Sequence, residues 1–481
     1  MNRPSLTAAR RATRRLAALL FAVTLGACGG GDGVIGSGGT GSPLGMTVGT
    51  VNGFGSVIVD GQSFDDRDAS VVTEVAPGVD AITEVKLGDR VSVEYETPGV
   101  ASVVRVEAAL AGSVASVDAA GRFTVLGQSV AVNGDGAAGP ITQFGGGYAQ
   151  AADLRAGDAV EVHGLIVRHA GDVQIQATRI DKLAATPAYL RVSGIVGALQ
   201  TGVSPSFALG ALTVDVGTAP VLPSGVALAS GQAVTVLALP ASVTAPPASA
   251  WRLQAAQVRI RELRDEGLED SVSGAIGQLD TSAKTFVLGG LRVDYAAATL
   301  SPAGWTPVDG QYVRVEGSVA ADGSLVAASV TLRDTGSDSE AELHGNVSGY
   351  DPATVRFTVR GVTVDGSAAS LEGCPSGGLA DGLYVEVAGS TSSSGVVASK
   401  IHCEDEPSDA SVEREGTAGS VDTAAHTFVL ITEHGSVVSV RWTDTTYFGA
   451  VTTATLDGRK VKVEGSFEGS VLVARKVKQE D

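Results

Sequence analysis

The sequence holds few of the residues and patterns that announce chemistry. Its 481 residues include three cysteines, two methionines and three tryptophans, and aromatic residues make up only 5%. No CxxC pair, HExxH motif, GxSxG elbow or P-loop occurs, nor a Rossmann fingerprint that follows a strand and opens a helix, so the familiar zinc, hydrolase and nucleotide sites have no local signature. Basic residues are the minority, 34 against 53 acidic ones, for a formal charge of −19. Such a surface repels phosphate backbones, which argues against a nucleic-acid partner, and it disfavours direct docking on anionic lipid. No stretch is long and apolar enough to span a bilayer as a helix. The run Leu16 to Ala27 (LAALLFAVTLGA) has twelve residues where roughly 20 are needed.

Glycine is what the chain has in abundance: 63 residues, alongside much Val, Thr and Ala. With 44% hydrophobic and 18% charged residues, the chain can build cores, and the mixture points to many short strands joined by turns.

The first residues bear on the compartment. Arg3, Arg10, Arg11, Arg14 and Arg15 precede the apolar run with no acidic residue among them, as in the leader of an exported protein. The run ends in Leu25-Gly26-Ala27-Cys28, which resembles the lipobox of bacterial lipoproteins. That resemblance implies a leader over 1–27, cleavage, and diacylglycerol on Cys28, followed by a Gly-rich tether over 28–45. An ordinary leader with a chance cysteine is the alternative. By the same resemblance, Gly29, with no Asp there, implies export to the outer membrane. Loss of the five leader arginines takes the charge to −24.

Repetition is the main internal signal. A turn and strand recur as LGDRVSVEY (Leu87 to Tyr95), RAGDAVEVHG (Arg155 to Gly164), SGQAVTVLA (Ser230 to Ala238), DGQYVRVEG (Asp309 to Gly317), DGLYVEVAG (Asp381 to Gly389) and DGRKVKVEG (Asp457 to Gly465). Their glycines, Gly88, Gly157, Gly231, Gly310, Gly382 and Gly458, lie 69, 74, 79, 72 and 76 residues apart. Upstream in four units, Asp118, Asp280, Asp351 and Asp422 open Asx turns and Phe123, Phe286, Phe357 and Phe428 enter the next strand, facing a core. Units one and three are degenerate, with Asn52 and Gln200 at the turn and Val57 replacing the first Phe. The expected repeats are 46–108, 109–184, 188–262, 271–333, 342–403 and 415–479. Acidic joints, Glu262 to Asp270, Asp334 to Glu342 and Glu404 to Glu415, separate the later units, so a string of separate barrels is expected, with docked neighbours as the alternative.

Each unit holds five short strands, three before a longer connection and two after. A sheet that small must close on itself, and this order suits an all-β, five-stranded OB-like barrel, with an SH3-like barrel as the alternative. The lipobox, the tether running into GTVNGFGSVIVDGQSFD (Gly49 to Asp65) and the repeated strands together resemble a family of proteobacterial lipoproteins. Their repeats form domain of unknown function 5666, grouped with OB-like folds. The resemblance covers nearly the whole mature chain and implies fold and anchorage, with no activity and no functional residues to transfer.

If Cys28 is lipidated, Cys374 and Cys403 remain, and in an oxidising compartment they read as one disulfide. A metal site using them with His402 and Glu404 or Asp405 is the alternative, without the usual tight ligand pairs. His163 and His344 fall on expected strands, His169, His426 and His434 near turns. Calcium would suit the acidic joints better than the Asx turns, each of which has a lone Asp. Trp251, Trp305, Trp442, Tyr312, Tyr384 and Tyr447 could stack on a sugar, but the tryptophans are not at equivalent repeat positions, which favours packing roles. A catalytic site needs one unique constellation, whereas the polar landmarks here recur as turn residues do. The expectation is therefore a lipid-anchored envelope protein with no enzyme activity, cofactor or metal, its barrels docking envelope or surface proteins. The alternative is capture of a glycan or small solute on one barrel face, in the third or fifth unit.

Overall fold

A computed structural model describes residues 45–169, 172–247, 250–261, 269–333, 341–376, 378–404, 412–431, 437–449, 451–468 and 471–479. The leader, the tether, Cys28 and most of the acidic joints lie outside the described residues. Within them the chain is all-β: strands, and three single-turn 3-10 segments.

The sixth barrel shows the plan as a closed sheet of its own. Strands Val412–Asp422, Thr427–Ile431 and Val437–Gly449 run as an antiparallel meander. After the longer connection, Lys460–Glu468 pairs with the first strand and with Val471–Gln479, which lies parallel to the third. The spatial order 1-2-3-5-4 closes on itself. The parallel contact between third and fifth strands decides between the two barrel types, since an SH3-like barrel is built of antiparallel neighbours, and the fold is OB-like. The same parallel pairing recurs in the barrels spanning Gly45 to Val106, Leu110 to Lys182, Leu190 to Ile260, Glu269 to Leu332 and Ala341 to Glu404, numbered 1 to 5 in chain order.

The repeated glycines have two structural causes. Each of the six marker glycines has φ between +75° and +91°, a backbone region that costs a side chain-bearing residue dearly. Each donates its N–H to the carbonyl of one buried first-strand residue: Val51, Val114, Val196, Ile276, Val347 or Ala418, at 2.7–2.8 Å. The N–H of that same residue donates back, to the carbonyl of the residue after the glycine, at 2.8–2.9 Å. This reciprocal clamp holds the turn before the fourth strand against the point where the first strand changes partners. The glycines that close four of the landmarks, Gly164, Gly317, Gly389 and Gly465, sit where the fourth and fifth strands shift register. There a Cβ would run into a carbonyl oxygen of the facing strand: Gln176, Val326, Val397 or Val473.

The expected Asx turns form. Oδ1 of Asp118, Asp280, Asp351 and Asp422 accepts backbone N–H bonds at 2.8–2.9 Å, and Phe123, Phe286, Phe357 and Phe428 are buried. Phe207 takes the equivalent place in barrel 3, so the third unit keeps the aromatic while losing the Asp.

For barrels 1 to 5 the docked alternative holds over separate barrels. The first strand of barrel 1 is itself a sheet partner: Gly45–Val48 lie parallel to Glu269–Val272 of barrel 4, and Gly53–Phe54 to Glu342–Leu343 of barrel 5. Arg191 and Val192 of barrel 3 pair with Ala111 and Leu110 of barrel 2. The apolar cores follow suit, one cluster running through barrels 2 and 3 and another through barrels 1 and 5. The physical reason is that the first strand leaves one edge open where it changes partners, and an open edge is satisfied by another strand.

Candidate functional site

Cys374 and Cys403 are bonded to each other, with S–S 2.02 Å and Cα atoms 4.7 Å apart. The disulfide ties the segment after Ser370–Glu372 to the last strand of barrel 5, and it takes both thiolates out of any metal set. The disulfide reading therefore holds over the metal alternative built on those cysteines. Cys28 lies outside the described residues.

The aromatic candidates mostly serve packing. Tyr312 is fully buried, Trp442 lies in the core of barrel 6 stacked on His426 at 5.5 Å, and Trp251 packs against the core of barrels 2 and 3. Trp305 donates from Nε1 to Gln311 at 3.1 Å. Tyr384 is half-buried, and only Tyr447 is exposed. They do not line up into a stacking platform. His434 and the side chain of His169 are outside the described residues.

Polar side chains do gather where barrels meet. Barrel 1 meets barrel 4 through Tyr312, whose hydroxyl donates to Asp60 Oδ1, while Arg314 donates to the Asp60 carbonyl and Arg90 to the Ser273 carbonyl. It meets barrel 3 through Glu74, which accepts from Gln257 and Arg259, and through the Glu107–Arg261 pair. Burial alone would raise both carboxyls, but these partners hold them below their ordinary values.

The junction with barrel 2 is centred on His163, buried with Asp89. Its Nε2 lies 3.4 Å from Asp89 Oδ1 and 3.4 Å from Glu161 Oε1, with Arg179 bonded to Asp181 alongside. Burial disfavours the imidazolium, yet the carboxylates of Asp89 and Glu161 outweigh it and raise the His163 pKa. Burial also raises that of Asp89. Each charge here has an ion-pair partner, as structural ion networks do, and among the described residues no nucleophile is hydrogen-bonded to the imidazole.

Among the described residues, two features stand apart from packing. One is a cleft of about 370 Å³ between barrels 2, 3 and 4, lined among others by Ile166, Ile195, Gln232, Ile276 and Gly290. The other lies on the outer wall of barrel 5. Glu342 and His344 alternate on strand Ala341–Asp351, so both face away from the core that takes Leu343. Glu386 stands directly opposite His344 on strand Tyr384–Ser392, and its next neighbour across the sheet is His402. One ligand atom from each of Glu342, His344 and Glu386 lies within 4.8 Å of the others. Spacing along one strand could not reveal this set, because the third residue arrives by cross-strand pairing. The readable trace is Glu-Leu-His at strand alternation.

The family model for a domain of unknown function, DUF5666, matches three segments of the chain: residues 111–181, 273–331 and 344–402, in barrels 2, 4 and 5. No curated protein matches. Among solved structures the chain is similar to "drosophila Unr CSD456" at 13% identity, over 44% of this chain and 96% of that one, with a TM-score of 0.13, too loose a superposition to bear on function.

Proposed function

Starting from a chain that carries tandem DUF5666 repeats of OB-like fold, we propose that it is a lipid-anchored envelope protein whose barrels form a scaffold for docking other proteins. The observation that carries this reading is the way barrel 1 takes up its neighbours: its first strand pairs with strands of two other barrels, and its polar side chains are matched by theirs. Surfaces that join by strand edges and matched polar groups are the kind that recruit further protein partners. The recurrent Asp and Gly residues are absorbed by turns, clamps and bulges, which supports a role without catalysis.

Anchorage rests on the lipobox-like Leu25 to Cys28 and the tether behind it, and one acyl-bearing residue would place the barrels at the membrane without a span. The test is fractionation of cells expressing the parent chain or Cys28→Ser. The parent should sediment with outer membranes and the variant should not; a variant that stays membrane-bound would remove the lipid anchor. Protease shaving of intact cells, read by a C-terminal tag after Asp481, then separates a surface location from a periplasmic one.

The cleft between barrels 2, 3 and 4 favours a second reading, capture of a glycan or small solute, since its size is within the range of small-molecule sites. Calorimetric titrations with cell-wall and surface glycans that stay flat would discard it.

A further inference from the structure

We propose that Glu342, His344 and Glu386 form a binding site for a divalent transition metal ion of the zinc class, with water completing the coordination. The ligand set is one imidazole nitrogen and two carboxylate oxygens on adjacent antiparallel strands, two residues apart on one and directly opposite on the other. An imidazole ligand selects against calcium and magnesium, which prefer all-oxygen shells, and favours zinc and its neighbours. Three protein ligands at a partly exposed wall leave room for water, as in open metal sites.

A second observation concerns how His344 is held. Gly55 of barrel 1 lies against the imidazole so closely that a Cβ there would sit 2.6 Å from Cδ2 and 2.8 Å from Cγ. The backbone of barrel 1 therefore roofs one side of the ring, while Nε2 points to Glu342 Oε1 at 2.7 Å. A ligand ring held from behind loses little freedom on binding, which favours affinity. Metal binding at Nε2 takes the place of the imidazole–carboxylate hydrogen bond, and the ion is shared by the three ligands.

Charge balance points the same way. Two carboxylates converge on a single imidazole. Lys400 lies close enough to interact electrostatically with Glu386, but its amine is paired with Glu372 at 2.9 Å. A divalent ion neutralises both glutamates at once.

The test is calorimetric titration of Zn²⁺ into the Cys28→Ser chain with its Cys374–Cys403 disulfide intact, so that no thiolate contributes. One ion per chain should bind. His344→Gln and Glu386→Gln should each weaken binding roughly tenfold or more, with apo thermal melts matching the parent. Glu386→Gln replaces one surface group by its near isostere, so it decides the matter if His344→Gln melts early. Absence of Zn²⁺ binding by the parent, or unchanged binding in Glu386→Gln, would overturn the proposal.

Discussion

The phenol of Tyr312 in barrel 4 donates a 2.8 Å hydrogen bond to Oδ1 of Asp60 in barrel 1, across 252 residues of sequence. Both side chains are buried, and the other Asp60 oxygen accepts from the Thr50 N–H at 2.8 Å. Burial and the Asp60 carboxylate push the Tyr312 phenol well above its ordinary pKa, so it remains a donor at any physiological pH.

Tyr312→Phe keeps the ring and removes the donor, leaving a buried carboxylate oxygen without that bond. The expected loss is about 1–3 kcal/mol, read by urea unfolding of the whole chain. A paired Asp60→Asn variant should show non-additivity, because the two residues share one interaction. Additive losses would mean that the contact does not join the barrels energetically.

Gly389, where the last two strands of barrel 5 shift register, and Gly419, in the first strand of barrel 6, differ in what surrounds them. Gly389→Ala places a methyl group against the Val397 carbonyl, where backbone must shift, and should cost about 2 kcal/mol or more. Gly419→Ala meets nothing within 4 Å and should be near neutral. Thermal melts of the two variants provide the comparison, and equal effects would contradict the bulge account.

Much of this was legible in the sequence, and for an identifiable reason. Asp118 and Phe123, or Asp351 and Phe357, act within one hairpin, so their spacing shows in the chain. The marker glycines announced turns because φ near +85° leaves little choice of residue. The docking of barrels was not legible. Asp60 reads as the start of a hairpin turn and Tyr312 as one more strand aromatic, and nothing local says that they meet. The Glu342, His344 and Glu386 set was hidden likewise, since cross-strand register is settled by pairing rather than by spacing.

The disulfide links residues 29 apart in sequence. On the chain-entropy account, closing such a loop stabilises the fold by about 3–4 kcal/mol. Cys374→Ser/Cys403→Ser should unfold at lower denaturant than the oxidised parent. Reductant should lower the parent toward the variant and leave the variant unmoved. A variant as stable as the oxidised parent would mean that barrel 5 does not depend on the bond.

The junction at His163 should make stability depend on pH in a definite direction. Its folded pKa is raised, so its contribution is fully present below the unfolded value of about 6.5 and is lost as pH rises through the folded value. Asp89, also raised, acts in the same sense. Glu161 and Asp181 are lowered, so their contributions are lost only as the solution becomes acidic enough to protonate carboxylates, outside a window of about pH 5–9. One contact opposes protonation: the Arg90 N–H donates to His163 Nδ1 at 3.3 Å, a bond the imidazolium would forgo. That bond is long, and two carboxylates at 3.4 Å outweigh it. The stability gap between the parent and His163→Gln should therefore be widest near pH 5–6 and shrink toward pH 9. Urea unfolding at several pH values measures it, and a gap that stays level or widens with pH would show that His163 is held neutral at the junction.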